Sequence, residues 1–184
     1  MADSLLGYGP HGFALEINPW QTKKSVEDAH LYRGTIVGAW ANVETAIIEI
    51  SIRSSIHPAY INIRTSYPTK LKGRVDYIST IIELNGPLLP YRNLINNILR
   101  RYVESASMRN RMAHSRMTVL PDWGATFYGY HPKNSTEIIY DTRRIPLEDM
   151  KQLALRASRF SRVVYLLLGR LNNLNILPPA DDAA

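Results

Sequence analysis

The chain contains no cysteine. Disulfides, thiolate metal sites and cysteine nucleophiles are therefore excluded, and the composition fits a reducing compartment. Long apolar runs are missing as well: Val163 to Leu168 is far too short to span a bilayer. The opening Met1-Ala2-Asp3-Ser4 has no basic residue and leads into Gly-rich sequence, so no signal peptide is expected. There is no Gly-rich phosphate loop and no nucleophilic serine motif. No His/Asp/Glu cluster has metal-ligand spacing, and no internal repeat or low-complexity segment occurs. The expectation is a cytoplasmic protein without membrane contact, metal or cofactor.

What is present is a core and a positive charge. Hydrophobic residues make up 45% of the 184 residues, enough for one domain with a single core. Charged residues make up 21%, which argues against a disordered chain. The formal net charge is +6, carried mostly by arginine. Arginine holds phosphate through a planar pair of donors, so nucleic acid becomes a plausible partner.

Residues 1–24 carry Gly7, Gly9, Pro10, Gly12 and Pro19 and read as an arm. Phe13, Leu15 and Trp20 would pack it onto its own bundle or a partner subunit. Helical spacing begins at Ser25 and runs to about Arg53 through Val37, Trp40, Val43, Ile47 and Ile52. Gly34, Gly38 and Ala41 line one side of that helix and would admit a close backbone. A short helix follows Pro68-Thr69. A third starts near Pro87 or Pro90 and carries on through Tyr102 into the segment Met108 to Met117. The periodicity then changes. Aromatic and β-branched residues flank His131-Pro132-Lys133-Asn134-Ser135, which reads as a β-hairpin insertion over about 118–141. A last long helix starts at Pro146, with Glu148 and Asp149 in its first turn to suit the helix dipole. Pro178-Pro179 would end it, leaving 178–184 as a tail. The expected fold is all-α: an antiparallel four- to five-helix bundle over 25–177.

One segment carries chemistry, Arg109-Asn110-Arg111-Met112-Ala113-His114. On a helix Asn110 and His114 lie at i and i+4 on one face, with Arg109 beside it. RNA cleavage needs little more. A base removes the 2′-hydroxyl proton, and histidine has the right pKa range near neutrality. A guanidinium stabilises the charge that grows on the attacked phosphate. The histidine could equally be a helix-end dipole partner. Of the five histidines, however, only His114 has an arginine five residues before it.

This Arg-Asn-x3-His pattern at the end of a bundle helix resembles the HEPN family signature, with a matching layout over roughly residues 26 to 176. The resemblance implies an all-α bundle, usually a homodimer with two motifs facing each other across the interface. It implies a metal-independent endoribonuclease that leaves a 2′,3′-cyclic phosphate, in toxin–antitoxin, antiviral-defence or RNA-processing settings, with an antitoxin or regulatory protein as a further partner. On that resemblance Arg109 and His114 are catalytic and Asn110 supports them. Some family toxins have a tyrosine two residues after the histidine, a target for nucleotide transfer. Arg116 stands there in this chain.

Four further arginines are RNA-binding candidates: Arg111, Arg116, Arg156 and Arg159. The last two share three-residue spacing with Arg162 and would track a phosphate backbone, or simply form a solvated face. Glu44 could pair with Arg109 or orient His114, although a structural ion pair is the commoner role for such a residue. Tyr128, Tyr130 and His131 offer rings for base stacking, or contacts within a small satellite core. Two other functions stay open: a non-catalytic bundle of the same kind that binds nucleotide or protein, and a basic nucleic-acid-binding module without chemistry.

Overall fold

The computed structural model describes residues 7–8, 14–15, 19–63, 68–120, 123–132 and 137–179. The Lys133-Asn134-Ser135 part of the expected turn, most of the arm and the end of the tail lie outside the described residues, as do the side chains of Phe13, Leu15, Trp20, Tyr130 and His131. Five helices dominate, and a small antiparallel sheet precedes the last of them.

A two-residue strand pair comes first, β1 (Gly7–Tyr8) against β2 (Ala14–Leu15). Helix α1 spans Pro19–Ser55. It therefore starts before Ser25. Proline is well suited to a first helical position, where its missing N–H leaves nothing unsatisfied. By length and composition its stretch Lys23–Ser55 could cross a bilayer. Here it is the central core helix: Ala29, Ile36, Val43, Ala46, Ile47 and Ile50 are all buried, mainly against α5 (Leu147–Asn173). Gly34 and Gly38 do not admit a neighbouring backbone in this chain. A Cβ added to either would meet nothing within 4 Å.

Helix α2 (Leu71–Ile81) buries Tyr77, Ile78 and Ile81. A 3₁₀ turn at Leu89–Tyr91 leads into α3 (Arg92–Glu104), which buries Ile95, Ile98, Leu99 and Tyr102. The expected single third helix is broken at Ser105, and α4 (Ala106–His114) begins there. The Ser105 hydroxyl donates to the Tyr102 carbonyl at 2.9 Å. Such back-bonding competes with the regular helix ladder and bends it.

The chain turns extended at Ser115, so Arg116 and Met117 open a strand and do not continue the helix. The expected hairpin is a three-stranded sheet: β3 (Arg116–Leu120), β4 (Gly124–Pro132) and β5 (Ile138–Ile145) in the order β3-β4-β5. Arg116 sits opposite Tyr128, and Ala125 opposite both Val119 and Ile145. Alternation sends Ala125 and Phe127 inward, both fully buried. Gly124 has φ +87°, and a Cβ there would collide with the Ile145 carbonyl oxygen, so this close approach to the end of β5 requires glycine.

Helix α5 begins right after Pro146. It ends in a Schellman motif ahead of the proline pair. Asn175 has φ 50°, Ile176 N–H donates to Leu171 C=O at 2.9 Å, and Asn175 N–H donates to Asn172 C=O at 3.0 Å. Buried Arg53 of α1 fastens the chain just beyond this motif, donating to the carbonyls of Leu177 at 2.8 Å and Pro178 at 2.5 Å.

Candidate functional site

The segment Arg109 to His114 forms most of α4, a nine-residue helix. Met112 is fully buried and anchors it in the core. Its C-terminal carbonyls would otherwise lack donors. Arg33 of α1 supplies them, donating to Met112 C=O at 2.7 Å, Ser115 C=O at 2.9 Å and Ala113 C=O at 3.5 Å. A cation at a helix C-terminus also suits the dipole. Arg33 thereby fixes the backbone that carries His114.

Arg109 points inward along the helix side that faces α1 and α3. Its Nη1 donates to Glu44 Oε2 at 3.0 Å and to the Tyr102 hydroxyl at 2.8 Å. Its guanidinium carbon lies 5.2 Å from the Tyr102 ring centroid. Nη2 reaches Asn110 Oδ1 at 3.4 Å. Glu44 is shared: its other oxygen lies 3.7 Å from Arg74 of α2. Four elements thus converge on one cation–carboxylate cluster. Burial pushes the Tyr102 phenol above its ordinary pKa, against the pull of the Arg109 cation, while the Glu44 charge adds to the rise. The phenol therefore stays a neutral hydrogen-bonding group throughout the physiological range.

Asn110 and His114 are both exposed on one face of α4. Among the described residues no hydrogen bond joins Arg109 to His114. The structure brings Arg109, Asn110 and Glu44 together and leaves the imidazole open to solvent beside them in sequence.

The other candidates divide. Arg111 is not an open cation. Its Nη2 pairs with Asp141 of β5 at 2.5 Å, and its Nε and Nη1 are buried without hydrogen-bond partners among the described residues. This ties α4 to the sheet. Arg116 is exposed at the start of β3, two residues beyond His114. Arg156 and Arg159 line a separate cleft between α3 and α5, whose walls include neither Arg109, Asn110 nor His114. Tyr128 stacks with Tyr140 at 6.1 Å between ring centroids, across the sheet.

No family model, curated protein or solved structure matches this chain. The site therefore rests on its own geometry.

Three contributors escape a reading of the sequence: Arg33, Arg74 and Tyr102. Tyr102 falls on the apolar stripe of its helix and reads there as a core ring. Its position seven residues before Arg109, two helical turns away, is the signal that could have found it. Arg33 and Arg74 carry no local signal, since their partners lie far away in sequence.

Proposed function

We propose that the chain is a metal-independent endoribonuclease of HEPN type, working as a homodimer on an antiparallel helical bundle. His114 is the base that takes the proton from the RNA 2′-hydroxyl. The freed oxygen attacks the adjacent phosphorus, the bond to the next 5′-oxygen breaks as that oxygen takes up a proton from water, and a 2′,3′-cyclic phosphate and a 5′-hydroxyl remain. Arg109 stabilises the charge that builds on the phosphate oxygens, and Asn110 contributes a further hydrogen bond.

The observation that carries this reading is the exposure of His114 and Asn110 on one face of a helix whose end is fixed by Arg33. A histidine serving only as a structural cap would be turned in and bonded. Here the capping is done by another residue, and the imidazole is left free to meet a ligand. The Glu44–Tyr102 pair supports the same reading by holding Arg109 in one orientation, which lowers the cost of reorganisation at a charged transition state. Arg116, exposed close by in sequence, is the best placed of the remaining arginines to meet RNA phosphates. Arg111 is left out of that role because it is engaged with Asp141.

A non-catalytic bundle is the second reading, and one observation favours it. Nη1 of Arg109 is already satisfied inside the chain, and the guanidinium faces Glu44 rather than His114. The two readings separate on one experiment. Purified protein is incubated with labelled single-stranded RNA in excess EDTA, and the product ends are analysed. Products ending in a cyclic phosphate support the nuclease. No cleavage across varied RNAs leaves the binding bundle.

A further inference from the structure

The walls between α3–α4 and α5 carry a regular pattern in which Ile98, Phe160 and Leu167 belong to the core and the other residues are at least partly exposed. On one side Leu94, Ile98, Arg101, Ser105 and Met108 succeed one another at spacings of four, three, four and three. On the other, Arg156, Phe160, Val163, Leu167 and Arg170 repeat the same alternation. These are the spacings of helix ridges. Three cavities of about 550, 440 and 500 Å³ run end to end between them. The first two share Arg101, Arg156 and Phe160, and the last two share Leu94 and Val163. They form one open cleft. From Leu153 to Arg170 it measures about 26 Å, at about 1.5 Å of rise per residue, the length of a helix of some four to five turns.

The lining is apolar where it should contact a partner. Leu94, Val163 and Leu166 are 40%, 43% and 65% exposed. Exposed aliphatic side chains in one groove mark an interaction surface. The rim is basic. Arg101, Arg156 and Arg159 have no ion-pair partner among the described residues, while Glu104, the acid on this rim, pairs with Arg100 at 3.2 Å.

We infer that this cleft is a docking groove for an amphipathic helix of another protein, one with an aliphatic stripe and acidic flanks. The length of the cleft and its exposed aliphatic residues suit a helix, and the unpaired arginines select its charge. Two other occupants fit less well. Single-stranded RNA binds through stacked rings, yet Trp40 and Phe160 lie on the floor, each 8% exposed, and the Tyr91 ring is covered by Arg170, whose guanidinium carbon lies 5.9 Å from its centroid. A second copy of the chain would bring two basic rims to one interface with no unpaired acid on either, since Glu104 is taken by Arg100.

The test uses the full chain. A displayed library of helical peptides of roughly 20 residues, with an aliphatic 3–4 stripe and randomised flanks, is selected against it. The enriched peptides are expected to carry Asp and Glu beside the stripe. A synthetic peptide of that sequence should bind the double variant Arg156→Glu/Arg159→Glu about tenfold or more weakly, with circular dichroism unchanged. A lysine-flanked counterpart should prefer the variant. Absence of enrichment, enrichment of basic or neutral flanks, or equal binding to both proteins overturns the proposal. Two control arms also overturn it. Loss of a labelled single-stranded oligonucleotide from the double variant, with no peptide selected, makes the cleft a nucleic-acid surface. Conversion of a dimer to a monomer by Leu166→Asp makes it a self-interface.

Discussion

On α4, Arg109 and Arg111 both end on acids from other elements, Glu44 of α1 and Asp141 of β5. On α5, Arg156 and Arg159 end in solvent along the rim of a cleft, with no ion-pair partner among the described residues. The two helices carry the same residue type for different purposes. A guanidinium with several internal acceptors is a fixed geometric element, able to hold a helix in place or present one face to a reacting phosphate. A guanidinium without acceptors contributes little to stability and is available to whatever arrives from outside. The four arginines that read in the sequence as RNA-binding therefore divide: Arg111 ties α4 to the sheet, Arg116 is exposed at the start of β3, and Arg156 and Arg159 form a free rim, while Arg109, read as catalytic, is held by Glu44 and Tyr102.

That division can be broken or sharpened by substitution. The largest effect is expected at Arg109. Arg109→Ala should lower RNA cleavage by about 10²–10³-fold, the scale of losing one transition-state donor. Arg109→Lys should recover little, because lysine lacks the planar fork that reaches Glu44, Tyr102 and a phosphate together. Glu44→Gln comes next. It keeps the shape but removes the charge that orients Arg109, and cleavage should fall by about tenfold to a hundredfold. Its stability effect should be small because the Glu44 side chain is 38% exposed, and measuring the two separately shows whether Glu44 positions Arg109 or merely stabilises the fold. Arg33→Ala should act mainly on stability, by about 2 kcal/mol for charged hydrogen bonds to backbone carbonyls, read as a drop of several degrees in Tm. Cleavage should weaken with it as the end of α4 loosens. The smallest effect is expected from Arg156→Ala and Arg159→Ala, each within about 0.5 kcal/mol of the parent and with cleavage unchanged. A loss of cleavage in either would merge the two groups and place the rim in the RNA path.

The difference between the regions also explains what is legible in the sequence. Apolar spacing and Pro146 locate α5 to within a residue at its start, because helix position there depends on local signals alone. The 4–3 spacing of Tyr102 and its neighbours marks the buried side of α3 for the same reason. Ser105 looks like any helix residue, and the break there is accompanied by its hydroxyl bonding back to the Tyr102 carbonyl. Pro178-Pro179 reads as the end of α5, while Asn175 in a left-handed conformation does the stopping earlier. Met117 reads as helical although the chain is extended from Ser115, where Phe127 and Ala125 of the partner strand decide the pairing. At the site, Arg109, Asn110 and His114 are visible because they lie close together in sequence. The Glu44 pairing is legible as one option among several. Arg33, 79 residues from the carbonyl of Met112 that it caps, is not. Nor is the fate of Arg111, which depends on where β5 folds back.

The central claim is that His114 is the base of a metal-independent cleavage. The direct measurement is the rate at which the parent and His114→Ala cut the same labelled single-stranded RNA in excess EDTA, with Tm recorded for both. His114 is exposed and has no hydrogen-bond partner among the described residues. The variant should therefore keep the parent Tm while its cleavage falls by about 10²–10⁴-fold, the range for removal of a general base. A His114→Ala protein that cuts RNA at the parent rate would contradict the account.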